Sequence, residues 1–443
     1  MAVHPIEFRY GTNKMRHVWS EEHRLWRIVD AEIALAKAEA MHGMIPKDDA
    51  DAISKKAHDV SLERVKEIEA ENNHDMMAIV SGISEVCGEA GRWVHYGATS
   101  NDMLDTATGL QLKDAVDLIE EKLYLLLEAL LKRAESTKHL VCIARTHGQH
   151  GVPTTYGLRF AIWASEIGRQ IDRLHEMKPR VCVGQLTGAV GTQAALGTHG
   201  PQIQKSMMEH LSLTPVLVSN QVIQRDRYAE YFCLLANIAT TLDKIGIEIR
   251  SLQRTEIGEV EEAFGKNQVG SSTMPHKRNP IKSEQVCGLA RIVRSAVEPA
   301  FQNNTLWDER DLTNSSCERI LFPEASILCD HILAVMVTVI ENLNIKEDRV
   351  LENLSMLQGI NMAESVMIEL TKQGMSRQDA HEIIRTASMN ALADKKPLAD
   401  ILAMNAEITA ILSKSEIERL LDPQTYIGTA VEQVEQVIIM LRR

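Results

Sequence analysis

Apolar residues recur at three- and four-residue steps along most of the chain, a spacing that is typical of α-helices with a buried face. Between Asp102 and about Lys138 this pattern continues without proline for roughly 35 residues, which as a helix would extend about 50 Å. Four further long helices are predicted at about 156–177, within the proline-free span 216–274, at about 281–302 and at about 323–343. An all-α fold is therefore predicted.

The predicted helices carry apolar positions on more than one face, so each needs neighbours on more than one side. A bundle that oligomerises through its long helices supplies them, and one large monomeric bundle is the alternative. Three helical domains are predicted along the chain, at 1–100, 101–350 and 351–443. The central one holds the long helices, which would also form the core of an oligomer.

Composition and charge narrow the class of protein. The chain has 443 residues, with 48 Lys and Arg against 61 Asp and Glu, which gives a net charge of −13. That balance argues against a nucleic-acid or anionic-membrane surface. The seven cysteines are scattered, the N-terminus lacks an apolar leader pattern, and no uncharged apolar run reaches about 18 residues. These features favour a soluble cytoplasmic protein.

The clearest polar interruption is the segment 265–280, which ends in GSSTMPHKRNP. Pro275 and Pro280 prevent a helix there, and no glycine precedes Lys277 in the way that a P-loop requires. A surface loop is the plain interpretation. Its serines, Lys277 and Asn279, with no competing acid, instead favour a lid that closes on an anionic substrate.

Two further loops carry candidate chemistry. His147 and His150 lie in ARTHGQHGVPTTYG, where a general acid is better motivated than a metal ligand, because no acid follows at ligand spacing. A polar loop without function is equally compatible with this segment alone. Near His74, Asn73 or Asp75 is predicted to cap a helix.

Hydroxyl and guanidinium groups mark two possible anion sites. Thr99 and Ser100 precede the longest helix, where they can cap it and also hold a carboxylate at its positive end. Arg310, Ser315 and Arg319 form a possible phosphate clamp, since Ser315 and Arg319 are one helical turn apart. The alternative is a solvated face, in which nearby acids such as Glu318 pair with the arginines.

These segments resemble the fumarase/aspartase superfamily, whose members eliminate fumarate from succinyl compounds. The resemblance covers essentially the whole chain and rests on motifs that occur in the expected order: FRYG, HD at 74–75, HYGATSND, RTHGQHGVPTTYG, QVIQRDR, GSSTMPHKRNP and LWDERDLTNSSCERI. Within the superfamily they are most similar to the branch that cleaves adenylosuccinate. Asn73 stands where many bacterial relatives have arginine.

The resemblance implies a β-elimination that needs a base, an acid and cations that stabilise a carbanion next to a carboxylate. It assigns Ser271 as the base and His147 as the acid, with Lys277, Glu284 and His74 also catalytic. The residues implied in substrate binding are Arg9, Tyr10, Asn73, Asp75, His95, Thr99, Ser100, Thr146, Gln221, Ser272, Asn279, Arg310, Ser315 and Arg319. Among these and the catalytic residues, the groups implied in binding the succinyl carboxylates are Lys277, Asn279, Thr99, Ser100, Thr146 and Gln221. Those implied in binding the phosphate are Arg9, Tyr10, Arg310, Ser315 and Arg319.

The resemblance also implies a homotetramer in which three subunits adjoin at each site, a small-molecule substrate, and no cofactor or metal. The substrate would be a succinyl-purine nucleotide or its ribotide precursor. A 3-carboxymuconate-type cycloisomerase or another lyase of the superfamily is one alternative. A non-catalytic helical scaffold is the other, and it is disfavoured by the intact Ser271, His147 and Lys277.

Overall fold

The computed structural model describes residues 3–265, 270 and 272–442. Helix accounts for 69% of the structure, and the strands of the described residues are short. The prediction of an all-α fold is thereby confirmed.

Five helices form the N-terminal part. In four of them the first turn is stabilised by a side chain that accepts a hydrogen bond from a free backbone amide, namely that of Thr12, Ser20, Ser61 or His74. The helix that follows Pro46 has no such side-chain cap. The helices are α1 (Asn13–Val18), α2 (Glu21–Met41), α3 (Lys47–Lys56), α4 (Leu62–Asn72) and α5 (Asp75–Cys87).

The long helices occur where the apolar spacing predicts them, with two corrections. The last of them begins at Thr313 rather than at Pro323. Pro323 lies inside this helix, whereas the sequence pattern predicts that the helix begins at this proline. The predicted helix 281–302 is interrupted at Ala296. The helices are α6 (Ser100–Ser136), α7 (Tyr156–Val181), α8 (Gly200–Leu211), α9 (Asp226–Leu252), α10 (Ile281–Ser295), α11 (Val297–Gln302) and α12 (Thr313–Asn342).

The C-terminal part consists of shorter helices. Val366, Leu370, Ile384 and Leu402 belong to its buried apolar cluster. The helices are α13 (Glu347–Ser355), α14 (Ala363–Lys372), α15 (Arg377–Asp394), α16 (Leu398–Ala403), α17 (Ala406–Thr409), α18 (Lys414–Leu420) and α19 (Ala430–Leu441).

The segment around His147 is a β-hairpin, where the sequence pattern predicts only a loop. β1 (Val141–Thr146) pairs antiparallel with β2 (Gln149–Thr155). His147 and Gly148 connect them with φ of 53° and 76°, and two left-handed residues are what a tight hairpin turn requires. Two-residue strands form the other pairs: β3 (Val183–Gly184) with β4 (Thr214–Pro215), in parallel, and β5 (Val260–Glu261) with β6 (Asn344–Ile345).

The chain divides into two compact units. Unit 1 comprises residues 1–124, 169–243 and 286–335, and unit 2 comprises 125–168, 244–285 and 336–443. The division into three helical domains at 1–100, 101–350 and 351–443 stays a prediction.

Helix α12 is long and apolar enough to cross a membrane by length and composition, with a mean hydropathy of 1.8 in its most apolar window. More than half of that window is buried inside the structure, as in the core helix of a soluble protein. Its composition is therefore weak evidence for a membrane span.

Candidate active site

Unit 1 contains a cavity of about 310 Å³, which we call the arginine cavity. Ser315 and Arg319 of α12 both line it, so the prediction that they share a helix face is confirmed. The charged and hydroxyl groups along its wall include Arg24, Arg225, Arg310, Ser315, Glu318 and Arg319. This arrangement is suited to an anionic ligand.

Arg310 approaches the arginine cavity from the segment before α12. Its Nη1 donates to Oε1 of Gln221 at 2.8 Å, and Nε2 of Gln221 donates to the carbonyl oxygen of Ala189 at 2.7 Å. Burial lowers the pKa of the Arg310 guanidinium. A primary amide carries two N–H groups, so Gln221 keeps one donor for a ligand while it orients Arg310.

Arg319 is held by the segment that contains His74. Its Nη2 donates to Oδ2 of Asp75 at 2.6 Å. Burial alone would raise the pKa of Asp75, but the Met76 amide and Arg319 outweigh it and lower this pKa. An anion that enters the cavity would therefore compete with Asp75 for the guanidinium group of Arg319.

The cap of α5 differs from the predicted one. His74, rather than Asn73 or Asp75, is the N-cap, and its Nδ1 accepts a hydrogen bond from the Met77 amide at 3.2 Å. Asn73 instead ends α4 in the left-handed conformation, with φ of 53°. The exposed His74 ring therefore has its Nδ1 committed to the helix and Nε2 left for a ligand.

A buried ion network lies behind the arginine cavity. Arg225 donates to both carboxylate oxygens of Asp105, at 2.8 and 2.9 Å, and its Nε donates to Glu318 at 3.0 Å. Its side chain is only 3% exposed. Glu318 thus pairs with Arg225, and the sequence-based alternative in which it neutralises Arg310 or Arg319 is wrong.

His95 is fixed by a buried glutamate of α2. Oε1 of Glu32 lies 2.7 Å from His95 Nδ1, and Oε2 accepts from the His95 backbone amide at 3.0 Å. Burial alone would lower the pKa of His95, but the charge of Glu32 and this hydrogen bond raise it. Glu32 therefore orients the ring and favours its protonated form.

A second acid, Glu39, follows Glu32 two turns along α2 and is fully buried. Among the described residues, none forms a hydrogen bond with its carboxyl oxygens. Burial and the charge of Glu32 raise the pKa of Glu39 from 4.5 to about 8. Glu39 is therefore mostly protonated at neutral pH.

We expect Glu39→Gln to remove a pH dependence of stability. Because the pKa of the folded state lies above the unfolded value, the native state holds one extra proton between pH 4.5 and about 8. The free energy of unfolding of the wild type should then fall by about 1.4 kcal/mol for each unit by which the pH rises within that window. Relative to Glu39→Gln, the free energy of unfolding in urea should drop by roughly 2 kcal/mol from about pH 5.5 to 7.0.

Glu22→Gln, an exposed position on the same helix, serves as the control for Glu39→Gln. Its stability should follow the wild-type pH curve. A difference between wild type and Glu39→Gln that is constant with pH would contradict the protonated state of Glu39.

Thr99 and Ser100 lie at the start of α6, as predicted. The Thr99 amide donates to Oδ2 of Asp102 at 2.9 Å, and the buried Asp102 also accepts from the Thr187 and Gly188 amides. Burial raises the pKa of Asp102, while those three amides oppose the rise. The hydroxyls are half-buried at the positive end of a long helix, where they can contact a carboxylate.

Arg9 and Tyr10 do not line the arginine cavity. The exposed Arg9 guanidinium lies 5.9 Å from the Tyr10 ring centroid, and the Tyr10 ring packs against His331 at 5.4 Å. Their assignment to the phosphate therefore has no support from a shared cavity within unit 1.

In unit 2, the hairpin presents His147 at its exposed tip, with Thr146 as the last residue of β1. His150 lies opposite Arg145 in the hairpin register and lines a different cavity from the 265–280 loop residues. Burial, followed by the charge of Arg145, lowers the pKa of His150. Of the two histidines, His147 has the position expected of a group that reaches a ligand.

The described part of the 265–280 loop is closed by short-range contacts. Asn279 Nδ2 donates to the Gly270 carbonyl at 3.1 Å, and a Cβ at Gly270 would lie only 2.0 Å from the Lys277 carbonyl oxygen. Glycine is therefore required at 270. Ser272 and Lys277 are exposed, and Ser271 lies outside the described residues.

A second cavity, of about 820 Å³, lies beside this loop in unit 2. Lys277, Asn279 and Glu284 line it together with Arg250 and Arg254. Three predicted residues thus meet in one place. The excess of cations over the acids Glu256 and Glu284 favours an anionic ligand.

Comparison with known proteins gives the family. Residues 7–294 match the family model described as Lyase, and residues 359–437 match that of the adenylosuccinate lyase C-terminus. An adenylosuccinate lyase of Methanocaldococcus jannaschii is 53% identical over 100% of this chain and 96% of its own. One of Archaeoglobus fulgidus is 50% identical over 99% and 98%. The chain belongs to the adenylosuccinate lyase family of the fumarase/aspartase superfamily.

Solved structures place this adenylosuccinate lyase family fold among related enzymes. The fumarate lyase of Mesorhizobium sp. BNC1 has a TM-score of 0.89 and 31% identity, covering 97% of this chain and 98% of that one. The 3-carboxy-cis,cis-muconate lactonizing enzyme of Pseudomonas putida has a TM-score of 0.89 and 32% identity, covering 99% of both. The backbone fold is thus shared by a fumarate lyase and a muconate lactonizing enzyme, so the two activities must be distinguished by the side chains of the site.

Several residues of the site or its surroundings are not predicted from sequence. Glu32 and Glu39 interrupt the apolar run EIALAKAEA of α2, and acids on a buried face are the one available signal. Arg225 lies within QVIQRDR, a motif that carries part of the resemblance. Asp105 and Arg24 have no local signal, because Asp105 pairs with the distant Arg225 and Arg24 meets the other groups of the arginine cavity only in the folded chain.

Proposed function

We propose that this chain removes fumarate from adenylosuccinate, giving AMP, and from succinylaminoimidazole carboxamide ribotide. The observation that carries this choice is the arginine cavity, where Arg310, Ser315 and Arg319 line one site. A phosphate group matches two guanidiniums and a hydroxyl. A cycloisomerase that acts on a carboxylate-only substrate would not need them.

The reaction breaks one C–H and one C–N bond. A base removes the proton from the succinyl carbon, and the electron pair left behind is delocalised into the adjacent carboxylate. The C–N bond then breaks, its electrons go to the purine nitrogen, and an acid protonates that nitrogen. The products are fumarate and the free amine, and no oxidant or cofactor is required.

Ser271 is proposed as the base and His147 as the acid, with His74, Lys277 and Glu284 as further catalytic groups. The exposed position of His147 at a hairpin tip suits a group that must reach the leaving nitrogen. Lys277 and Asn279 would stabilise charge on the succinyl carboxylate. Thr99, Ser100, Thr146, Gln221 and Ser272 would bind the rest of the succinyl group.

On the nucleotide side, Arg310, Ser315 and Arg319 would bind the phosphate, and Asp75 would release Arg319 when it does. His95, held by Glu32, is available through Nε2. Arg9, Tyr10 and Asn73 keep their proposed contacts with phosphate and ribose on the resemblance alone.

We also propose a cytoplasmic homotetramer, in which residues of three subunits form each site. Light scattering of the purified protein should give four times the chain mass of 49.5 kDa. A stable monomer with full activity would contradict this assembly, because one chain would then form the site alone.

The reaction itself is tested with purified protein and adenylosuccinate. Fumarate and AMP should appear in equal amounts, and 3-carboxymuconate should not be converted. Turnover of the muconate without release of fumarate from adenylosuccinate would favour the cycloisomerase.

We expect Arg319→Ala to weaken the binding of AMP by roughly 1.5–3 kcal/mol, the range of a charge-assisted hydrogen bond. AMP binding is measured by its inhibition of the reaction as a product. Arg385→Ala is the control, because Arg385 forms an exposed ion pair with Glu382 outside the cavity. AMP inhibition that is unchanged in Arg319→Ala would return this arginine to a role in pairing with Asp75.

A further inference from the structure

Three acids line the arginine cavity, and each of them has a basic partner. Asp105 and Glu318 share Arg225, and Glu21 pairs with Lys66 at 2.5 Å. Each of these carboxylates is therefore already in contact with a cation, and among the described residues none of them lies within ion-pair distance of Arg24, Arg310 or Arg319.

Two of the cations, Arg24 and Arg310, are influenced by nearby acids through space but have no direct ion pair among the described residues. Among the described residues, no carboxylate lies within ion-pair distance of Arg310 or Arg24, and none accepts a hydrogen bond from the Arg24 guanidinium. Arg310 at least has Gln221. Arg24 is half-buried on the cavity wall, and no residue in the described part of the chain accepts a hydrogen bond from its guanidinium.

The helix face on which Arg24 lies is set by α2. Arg24 follows Ser20 by four residues and Glu21 by three, and all three line the cavity. Arg27, one turn further on, turns to other partners: its guanidinium binds Asp114 at 2.6 Å and Asp30 at 3.0 Å. The charge of Arg27 is therefore balanced by carboxylates of the protein, whereas Arg24 faces the cavity.

Leaving Arg24 unpaired has an energetic cost that a ligand would remove. Burial, followed by the positive charge of Arg319, lowers the pKa of Arg24, so the fold opposes its charged form. A half-buried cation without a counter-ion is unfavourable unless an anion joins it. A phosphate dianion would match the two cations, Arg24 and Arg310, that lack a carboxylate.

We propose that Arg24 is a further substrate-binding residue, a third guanidinium that contacts the phosphate held by Arg310 and Arg319. This rests on the proposed function, because the phosphate is that of the nucleotide substrate. A volume of about 310 Å³ suits the phosphate end of such a substrate, with the purine and succinyl groups outside this cavity.

The test compares AMP with adenosine, which lacks only the phosphate, by calorimetry on the full-length protein. Arg24→Met removes the charge and keeps the apolar stem. We expect its affinity for AMP to fall about 10- to 100-fold while its affinity for adenosine stays unchanged. Arg24→Lys keeps the charge without the planar fork and should give an intermediate loss.

Arg27→Met is the matched control, and its AMP affinity should equal that of wild type. An unchanged AMP affinity in Arg24→Met, or an equal loss for AMP and adenosine, would overturn the assignment. If wild type does not release fumarate from adenylosuccinate, the proposed function fails separately. Inorganic phosphate then replaces AMP as the probe, and binding by wild type but not by Arg24→Met would still support the site.

Discussion

His147→Gln and Ser271→Ala should each lower the turnover of adenylosuccinate by about 10²–10⁴, the usual contribution of a positioned acid or base. His147 lies at an exposed hairpin tip, so its replacement removes a proton donor without opening a cavity in the core. Fumarate release under saturating substrate measures the loss. Circular dichroism and light scattering check that each variant keeps its helices and its assembly.

His150→Gln is the matched control for His147→Gln. His150 lies three residues further on the same hairpin and lines a cavity that includes neither His147 nor residues of the 265–280 loop, so we expect near wild-type turnover. Because acid and base act in one coupled elimination, the double variant should lose much less than the product of the two single losses. Equal losses in His147→Gln and His150→Gln would indicate a hairpin defect rather than a missing acid.

The same two variants test where the acid and the base come from. If a tetramer takes His147 and Ser271 from different chains, mixing the inactive variants should restore activity, since some sites then receive both wild-type groups. Subunit exchange is verified with differently tagged chains. An absence of recovery after verified exchange would mean that one chain supplies both groups, or that one assignment is wrong.

The fold was predictable where local sequence carries the information. The apolar spacing of 102–138 predicts α6 to within two residues at either end, because a long buried helix repeats its pattern many times. The start of α12 was missed, since a proline inside a helix looks like a first-turn proline. The β1–β2 hairpin was missed because two short strands give few repeats of their pattern.

The candidate site was predictable only where its residues are close in sequence. Ser315 and Arg319 are one turn apart, so a helix alone brings them together. The pairing of Arg319 with Asp75 spans 244 positions, and that of His95 with Glu32 spans 63. Such contacts are made by tertiary packing, which leaves no periodicity in the sequence.

Arg225→Met should destabilise the protein by about 3–5 kcal/mol, as expected when one member of a buried ion network is removed. Asp105 and Glu318 would be left facing each other without a cation, at side-chain exposures of 5% and 13%. Urea unfolding at fixed protein concentration measures the effect. Arg180→Met is the control, since the ion pair of Arg180 with Glu230 is exposed and should contribute at most about 1 kcal/mol.

Removing one of the stranded charges should recover part of the loss. In the Arg225→Met background, Glu318→Gln replaces a buried carboxylate by a neutral group of the same shape, so the double variant should be more stable than Arg225→Met alone. Burial already raises the pKa of Glu318, so lowering the pH should narrow the gap between wild type and Arg225→Met as the freed acids become protonated. A loss in Arg225→Met no larger than in Arg180→Met would show that the network contributes no more than a surface pair. The arginine cavity would then owe its shape to the helices alone.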